Sequence, residues 1–426
     1  MISDKTLRQL NSIDWDFIEP LHGTSKILHW YPGTFPSELP CSLIQGLSNI
    51  DDLVLDPYAG VGTTGLEALR LGRKVWLVEN NPIGCLASYV GGCLLLIKNY
   101  DSSLVTPIFK KIKYLLQNVF SESSSELDFP IDYSLLHDID NIIDKLVNPN
   151  PSIFLNYLLK NHPKLENLSP WIENNSLDKV SRIINQLYLN DELNSFDRLL
   201  IITMLSAVLK SCSSQTQSWG HIADRVLPKE MIEKDVVLNC LKWLNKTEKS
   251  ITNTDVISDK KFNECRLWVS HYNWGNDISS LEAPPFPVDL LVTSPPYADA
   301  IDYTFAQRLS LYLIGYDDFQ IKNISNVEIG ARRKRAKSTS TINWAKELSE
   351  ALNIQKRFLS EKGFLSFVLP HKDAGRNIGV EAITANLEAD SYELIFEVDR
   401  AIRQLKTRQS WTSIKKEIVQ IYGKKR

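Results

Sequence analysis

A short stretch near residue 295 combines a hydroxyl group, two prolines and an aromatic ring. It reads Thr293-Ser294-Pro295-Pro296-Tyr297 and follows an apolar run, 288–292, that is typical of a buried strand. Each proline fixes φ and lacks an N–H, so the carbonyls beside it face away from any strand ladder. The stretch therefore predicts a rigid elbow that offers hydrogen-bond acceptors and a flat ring to a planar molecule.

A glycine-rich turn lies more than 200 residues upstream, after a second apolar run. It reads Asp56-Pro57-Tyr58-Ala59-Gly60-Val61-Gly62-Thr63-Thr64 and leads into a helix-forming segment, 66–71. Gly60 and Gly62 can adopt positive φ, which lets a ligand approach the backbone, and the helix points free N–H groups at the turn. The next strand ends in Glu79, whose carboxylate suits the two hydroxyls of a ribose. This order of elements predicts a site for a nucleotide cofactor.

Two classes of nucleotide cofactor fit that order. Residues 60–65 match the Gly-x-Gly-x-x-Gly pattern of dinucleotide-binding folds, whereas the Gly-Lys-Ser/Thr of a phosphate-binding loop is absent from the sequence. The carboxylate of Asp56, just before the glycines, would repel a pyrophosphate and attract an ammonium group. S-Adenosylmethionine carries an amino-acid ammonium as well as a ribose, so the residues favour this cofactor.

These segments resemble the motifs of bacterial DNA amino methyltransferases. Residues 56–64 are similar to the family's motif I, with Tyr58 where phenylalanine is more usual, and residues 293–297 are similar to its motif IV. His29-Trp30-Tyr31-Pro32-Gly33-Thr34-Phe35-Pro36 resembles the segment that precedes motif I and closes over the methionine end of the cofactor. Gly275-Asn276-Asp277-Ile278 resembles the turn whose acid binds the adenine amino group. Further similarity lies in 300–303, 308–311 and 416–422, so that the resemblance covers roughly residues 20–95 and 260–426.

The resemblance implies a doubly wound, mostly parallel Rossmann-like α/β sheet, S-adenosyl-L-methionine as cofactor and double-stranded DNA as substrate. Ser294 Oγ and the Pro295 carbonyl would hold the N–H bonds of an exocyclic amine, and Tyr297 would stack on the flipped base. The implied catalytic residues are Ser294, Pro295, Pro296 and Tyr297. The implied cofactor contacts are Tyr31, Phe35, Asp56, Tyr58, Gly60, Gly62, Thr63, Thr64, Glu79, Asn80 and Asp277.

The base that accepts the methyl group is a separate question. In the family, Ser-Pro-Pro-Tyr favours cytosine N4, whereas Asp- or Asn-Pro-Pro-Tyr favours adenine N6, so N4 is the first prediction and N6 the second. An RNA or tRNA amino methyltransferase is the third hypothesis, and an inactive nucleic-acid-binding module is the fourth. Carbon-5 methylation of cytosine needs a thiolate beyond the fourth strand, but Pro40-Cys41 precedes the glycine turn and is predicted to be buried.

Charge is distributed unevenly along the chain. The net charge is −3, but the segment from residue 331 onward carries 20 Lys and Arg against 11 Asp and Glu, a net of +9 that leaves −12 on residues 1–330. Such a basic end suits phosphates. A second string of basic residues includes Arg400 and Lys416. The predicted DNA contacts are Arg332, Arg333, Lys334, Arg335 and Lys337.

The length of 426 residues predicts two or three parts. Residues 1–98 would hold the cofactor motifs, 99–259 an α-helical insertion that with 331–337 is a candidate for target recognition, and 260–426 the catalytic motif. Alternating strands and helices, with an antiparallel pair at the end, would place motifs I and IV at neighbouring strand tips. Scattered cysteines predict no metal, and the absence of a signal peptide or of about 18 consecutive apolar residues predicts a cytoplasmic enzyme. A restriction endonuclease would act separately as its partner.

Overall fold

A computed structural model describes residues 2–18, 24–25, 28–120, 136, 138–215, 227–257, 261–298, 302–331, 340–370, 377–402 and 416–425. Within these ranges eight strands form one sheet. They are β1 Leu53–Asp56, β2 Lys74–Glu79, β3 Val147–Asn148, β4 Leu267–His271, β5 Val288–Thr293, β6 Leu359–Pro370, β7 Tyr392–Ala401 and β8 Lys416–Lys424.

The strand order in the sheet is β3-β4-β2-β1-β5-β6-β8-β7. All neighbours run parallel except β8, which pairs antiparallel with both β6 and β7. The chain thus starts in the middle of the sheet at β1, winds outward through β2 and β4, and returns to the other side of β1 as β5. This order confirms the predicted doubly wound, Rossmann-like sheet with an antiparallel end.

Helices cover both faces of the sheet. In the first half of the chain they are α1 Asp4–Asn11, α2 Glu38–Leu47, α3 Thr63–Arg70, α4 Pro82–Tyr100, α5 Val105–Phe120, α6 Ile139–Leu146, α7 Pro151–Leu158 and α8 Asn174–Leu189. In the second half they are α9 Ser195–Cys212, α10 Val236–Asn253, α11 Tyr303–Ala306, α12 Arg308–Leu313, α13 Asp318–Val327, α14 Ser340–Gln355 and α15 Asn377–Ala389.

Alternate residues of each strand face opposite sides of the sheet, as the pleat requires. On β1, Val54 joins the hydrophobic cluster that includes α2, α3 and α4, whereas Leu53 and Leu55 join the cluster that includes α14 and α15. The strands are therefore buried on both faces, which explains their nearly continuous apolar sequences. Burial on both faces also fixes the register that brings the strand tips together.

The predicted helical insertion, 99–259, contains α5 to α10. Its apolar side chains belong to the same hydrophobic cluster as α3 and α4, so the insertion shares a core with one face of the sheet. It also contributes the two-residue strand β3, in which Val147 lies opposite Leu267 of β4. The sequence did not predict β3, because two residues are too few to show a strand periodicity.

The packing of α4 explains its unusual composition. Among the described residues it is the one helix whose length and apolar sequence would allow it to cross a membrane, and 83% of its most apolar 18-residue window is buried inside the protein. It packs against the sheet on one side and against α9 of the insertion on the other. A helix covered on all sides is expected to be apolar around its whole circumference.

Candidate active site

The tips of β1 and β5 lie side by side, as predicted. The two strands are parallel neighbours, with Val54 opposite Leu290 and Leu55 opposite Leu291. Beyond them, Thr293 Oγ1 donates a 2.7 Å hydrogen bond to Asp56 Oδ1, across 237 positions of sequence. Motif I and motif IV are therefore joined by a buried side-chain hydrogen bond as well as by the strand ladder.

An open cleft of about 860 Å³ lies over these strand tips. Both motifs and the segment before motif I contribute to its wall. The predicted site residues that line it are Tyr31, Phe35, Asp56, Tyr58, Gly60, Thr63, Glu79, Asn80, Ser294 and Pro296. The cleft is thus one continuous space shared by the predicted cofactor residues and the predicted catalytic elbow.

The carboxylate of Glu79, at the end of β2, is held by the backbone of two loops. Its Oε2 accepts a 2.7 Å hydrogen bond from Gly60 N–H, and its Oε1 accepts one of 2.8 Å from Asn81 N–H. Burial raises the pKa of Glu79 to about 7. The carboxylate lines the cleft and can accept further hydrogen bonds there, and its contact with a ribose stays a prediction.

Asp56 is the most deeply buried acid of the cleft. Its Oδ1 accepts hydrogen bonds from Thr293 Oγ1 and, at 3.1 Å, from Tyr58 N–H, while burial raises the pKa of its carboxyl to about 6. A buried carboxylate is stabilised by an opposite charge placed nearby. The site therefore suits the ammonium group of an amino-acid moiety.

Glu328 is a third acid in the cleft, and the sequence did not reveal it. Its Oε1 accepts a 2.7 Å hydrogen bond from Tyr303 N–H and its Oε2 one of 3.2 Å from Thr304 N–H, which fixes the start of α11. Burial raises its pKa to about 7. No recognisable motif surrounds it, because only the tertiary fold returns residue 328 to the cleft.

Three carboxylates in one cleft favour a cationic ligand. A pyrophosphate would add negative charge to Asp56, Glu79 and Glu328, whereas S-adenosylmethionine brings a sulfonium and an ammonium. The donor set therefore fits this cofactor better than a dinucleotide, although residues 60–65 match the dinucleotide pattern. The third glycine of that pattern, Gly65, serves helix packing, since a Cβ there would lie 2.7 Å from Leu77 Cδ1.

Aromatic rings form one wall of the cleft. Tyr31 and Tyr303 stack with ring centroids 5.8 Å apart, and a Cβ on Gly60 would lie 3.3 Å from the Tyr31 ring. With φ at 54°, Gly60 adopts a conformation that disfavours other residues. Trp274 also lines the cleft, and its indole N–H donates a 2.7 Å hydrogen bond to the Pro57 carbonyl. Tyr303 lies in the segment 300–303, whose similarity to the family assigned it no role. Trp274 lies in none of the motifs, and an aromatic residue is more often a core residue than a ligand contact.

Not every predicted cofactor residue lines the cleft. Asp277 is exposed, and its carboxylate accepts hydrogen bonds from the backbone and hydroxyl of Ser279, at 3.1 and 2.8 Å. The predicted contact of Asp277 with the adenine amino group is therefore not supported; the neighbouring Asn273 and Trp274 line the cleft instead. Gly62 and Thr64 lie behind the wall: Gly62 has φ of 83°, and a Cβ there would lie 2.6 Å from Ser88 Cβ.

The catalytic elbow is anchored from behind. The indole N–H of Trp344 donates a 2.8 Å hydrogen bond to the Pro296 carbonyl, and Ser294 Oγ donates one of 3.1 Å to the Tyr297 hydroxyl. Ser294 and Pro296 line the cleft, whereas Pro295 and the half-buried Tyr297 are not among its lining residues, so the stacking of Tyr297 on a base stays a prediction. Trp344, which belongs to no sequence motif, thus holds the elbow at its second proline.

Two expectations about basic residues and thiols can be compared with the structure. Arg400 is buried and forms an ion pair with Glu417, so the prediction that it helps to bind phosphates is wrong. Cys41 is buried in α2, away from the cleft, and burial raises the pKa of its thiol to about 11, which is unsuited to a nucleophile. The predicted DNA contacts Arg332, Arg333, Lys334, Arg335 and Lys337 lie outside the described residues.

A family match covers the first part of this site. Residues 3–91 match the N6_N4_Mtase model, which is described as DNA methylase. This stretch belongs to the N6/N4 DNA methylase family. The match confirms, over residues that include motif I but not motif IV, the resemblance inferred from the sequence, and S-adenosylmethionine is the cofactor that this family uses. The match does not distinguish cytosine N4 from adenine N6.

Proteins similar in sequence to this chain include two type II methyltransferases. M.MjaII of Methanocaldococcus jannaschii is 20% identical over 418 residues, which cover 84% of this chain and 76% of that protein. M.PvuII of Proteus hauseri is 37% identical over 82 residues, which cover 19% of this chain and 24% of that protein.

Solved structures with some similarity to the DNA methylase include two methyltransferases. The rRNA methyltransferase AviRa from Streptomyces viridochromogenes has a TM-score of 0.31 at 10% identity, over 97% of this chain and 94% of that one. A putative class I S-adenosylmethionine-dependent methyltransferase from Listeria monocytogenes has a TM-score of 0.20 at 9% identity, over 81% and 88%. Both scores lie below 0.5, so the fold assignment rests on the strand order of the sheet itself.

Helix α4 approaches motif I closely. A Cβ on Gly84 would lie 2.6 Å from the Gly60 carbonyl oxygen and 2.8 Å from Glu79 Cγ. Gly84→Ala is therefore expected to displace both groups and to weaken S-adenosylmethionine binding at least about 10-fold by isothermal titration calorimetry. Gly91→Ala on the same helix is the matched control, since the nearest atom to its Cβ would be on the flexible side chain of Leu66, at 3.1 Å. Equal affinities for the two variants would contradict the prediction.

The raised pKa values of the three acids yield a second prediction. Because Asp56, Glu79 and Glu328 have pKa values of about 6, 7 and 7 against ordinary values of 3.8, 4.5 and 4.5, the folded chain binds their protons more tightly than the unfolded chain. Their contribution to stability is therefore full below pH ~4 and is lost as pH rises through about 6 to 7. A cation binds their ionised forms, so the affinity for S-adenosylmethionine should rise from pH ~5.5 to ~8. In the Glu328→Gln variant, the increase of this affinity with pH should be smaller. A wild-type affinity that does not change with pH would contradict the prediction.

Proposed function

We propose that this chain methylates N4 of cytosine in duplex DNA, after the base has left the helix. The observation that carries the proposal is that Ser294, the first residue of Ser-Pro-Pro-Tyr, lines the same cleft as Asp56, Gly60 and Glu79. A methyl donor held by motif I would thus face a base held by motif IV. Chemistry on a paired base requires this extrusion.

The elbow residues hold the target amine. An exocyclic amine is a poor nucleophile, because its lone pair is delocalised into the ring. Ser294 Oγ and the carbonyl of Pro295 would each accept one of its N–H bonds, which favours a pyramidal nitrogen with its lone pair directed at the cofactor. The Pro296 carbonyl already accepts the indole N–H of Trp344, and the Pro295 carbonyl is the second acceptor that the resemblance implies.

S-Adenosylmethionine supplies an electrophilic methyl group on a sulfonium. The residues of this chain supply orientation: Asp56 for the ammonium, Glu79 for the ribose, and the elbow for the base. Because the two binding regions are joined by the hydrogen bond between Thr293 and Asp56, their relative position is fixed. Positioning of two reactants supplies much of the rate enhancement in such a transfer.

Adenine N6 is the second candidate, because the elbow would hold its amine in the same way. Double-stranded DNA as the substrate is proposed from the family match together with the basic segment after residue 331. Target recognition by the insertion or by 331–337, a separately acting restriction endonuclease and a cytoplasmic location also stay proposals. An RNA substrate is the competing hypothesis, and nucleoside analysis distinguishes it from DNA.

The test is mass spectrometry of nucleosides from cells that express the protein. N4-methylcytosine in plasmid DNA, absent from cells that express Ser294→Ala, is the expected result. N6-methyladenine instead would support the second candidate. Methylated nucleosides in tRNA or rRNA with none in DNA would overturn the assignment of DNA as substrate.

A further inference from the structure

A chain of hydrogen bonds runs from the elbow into the antiparallel end of the sheet. Ser294 Oγ lies 3.1 Å from the Tyr297 hydroxyl oxygen. That hydroxyl in turn lies 3.1 Å from Glu417 Oε1 on β8 and 3.3 Å from the Val368 carbonyl on β6. This series of hydrogen bonds therefore connects Ser294, which lines the cleft, to the carboxylate of Glu417 on β8.

The direction of these hydrogen bonds is fixed by chemistry. An ionised carboxylate and a backbone carbonyl can only accept, so the single proton of the Tyr297 hydroxyl is donated to Glu417 or to Val368. Tyr297 then has only lone pairs to offer to Ser294. The hydroxyl proton of Ser294 must point toward Tyr297, and its lone pairs are left for the cleft.

A buried ion pair anchors the Glu417 side chain. Glu417 Oε2 is paired with the Arg400 guanidinium, and the two side chains are only 9% and 5% exposed. Arg400 is held in turn by the Trp15 carbonyl, which accepts a 3.1 Å hydrogen bond from its Nε. One oxygen of Glu417 thus accepts from Arg400 and the other faces the Tyr297 hydroxyl, so Glu417 is the acceptor at the end of this series of hydrogen bonds.

Orientation of the serine matters because each candidate base presents two kinds of group side by side. The exocyclic amine is a donor, whereas the adjacent ring nitrogen, N3 of cytosine or N1 of adenine, is an acceptor. A freely rotating serine hydroxyl could donate to the ring nitrogen and leave the amine unheld. A serine whose proton is already committed can only accept, and so it selects the amine.

We propose that Glu417, acting through the Tyr297 hydroxyl, is a positioning residue that makes Ser294 an obligatory hydrogen-bond acceptor for the target amine. This rests on the proposed function, in which Ser294 accepts an N–H bond of the base. It assigns to the tyrosine hydroxyl a role that a phenylalanine could not fill. It also gives the buried Arg400–Glu417 pair a purpose in catalysis rather than in DNA contact.

A double-mutant cycle tests the proposal. Tyr297→Phe keeps the ring but removes the hydroxyl, and single-turnover methyl transfer with saturating DNA and cofactor is expected to slow by about 5- to 20-fold. In the Ser294→Ala background the same change should alter the rate by less than about 2-fold, because no serine proton is left to direct. A merely structural role of the hydroxyl would slow both backgrounds equally, and that result would overturn the proposal.

Glu417→Gln provides a second, independent measurement. The amide of this variant can donate a hydrogen bond to Tyr297, so the group at the end of the series no longer only accepts. We expect a slower rate of methyl transfer with unchanged cofactor affinity. Adding Tyr297→Phe to this variant should cause no further loss of rate. Glu397→Gln is the control, since Glu397 lies on β7 and accepts a 2.7 Å hydrogen bond from Gln420. Thermal unfolding of each variant checks that it is folded. If Glu417→Gln does not fold, the result for Tyr297→Phe alone decides the test.

The results distinguish failure of this proposal from failure of the proposed methyltransferase function. A fully active Ser294→Ala variant would overturn the role of Ser294 itself and with it the proposed function. An inactive Ser294→Ala variant beside a Tyr297→Phe variant with the wild-type rate would overturn only the orienting role of Tyr297 and Glu417.

Discussion

Ser294→Ala is expected to lower the rate of methyl transfer by on the order of 100-fold or more, with little change in S-adenosylmethionine affinity. The variant removes one of the two acceptors proposed to hold the target amine, while motif I and its three carboxylates stay in place. The loss should appear in kcat, because a hydrogen bond that matters as the nitrogen pyramidalises is stronger in the transition state than in the ground state. Transfer of a tritiated methyl group to duplex DNA measures the rate.

The matched control for this prediction is Ser366→Ala. Ser366 is a buried serine of β6 that lies opposite Val292 of β5 and does not line the cleft. It is expected to keep the wild-type rate. A Ser294→Ala variant within about 3-fold of wild type would show that the serine hydroxyl is not an essential acceptor.

Asp56→Asn is expected to weaken S-adenosylmethionine binding by about 10- to 100-fold at pH ~8, where the carboxyl with its pKa of about 6 is ionised. The amide oxygen can still accept the hydrogen bonds from Thr293 and from the Tyr58 N–H, so the strand tips should stay joined. What is lost is the negative charge that faces the ammonium group of the cofactor. Isothermal titration calorimetry gives the affinity directly, and saturating cofactor should restore much of the rate.

Asp289→Asn is the control, since the Asp289 side chain also joins β1 and β5 by a hydrogen bond, at the opposite end of these two strands from Asp56. Its Oδ2 accepts a 3.0 Å hydrogen bond from Leu53 N–H, away from the cleft. This variant is expected to change stability but not cofactor affinity. If both aspartate variants bind the cofactor as the wild type does, the charge of Asp56 is not used for the ammonium.

Local sequence was sufficient for the regular elements of the sheet. The strands β1, β2 and β5 appear as apolar runs bounded by a glycine turn, an acid and a proline pair, and such runs are readable because parallel strands are buried on both faces. Boundaries were less accurate where pairing decides them. The helix α14 ends at Gln355, and β6 begins at Leu359, where pairing with Val288 of β5 decides the start of the strand.

Some residues of the candidate site could be predicted from the sequence, and others could not. Asp56, Gly60, Glu79 and Ser294 could be predicted because each follows directly from a strand end, where chain order alone places it near the ligand. Glu328, Trp274 and Trp344 could not, because they reach the site by loops and helices whose paths depend on tertiary packing. Asp277 shows the opposite error, since its position in the chain suggested a contact that its own turn prevents.

The sequence was enough to predict the doubly wound sheet, the class of cofactor and the meeting of a glycine turn with a Ser-Pro-Pro-Tyr elbow. The strands and turns show in local patterns, and the order of strands along the chain places the two motifs at neighbouring strand tips. Three-dimensional packing was needed to establish which acids share the cleft, that Arg400 is buried beside Glu417, and that the Tyr297 hydroxyl contacts β6 and β8. Such contacts join residues from distant segments, and they form only when packing of the whole core has fixed every strand in its register.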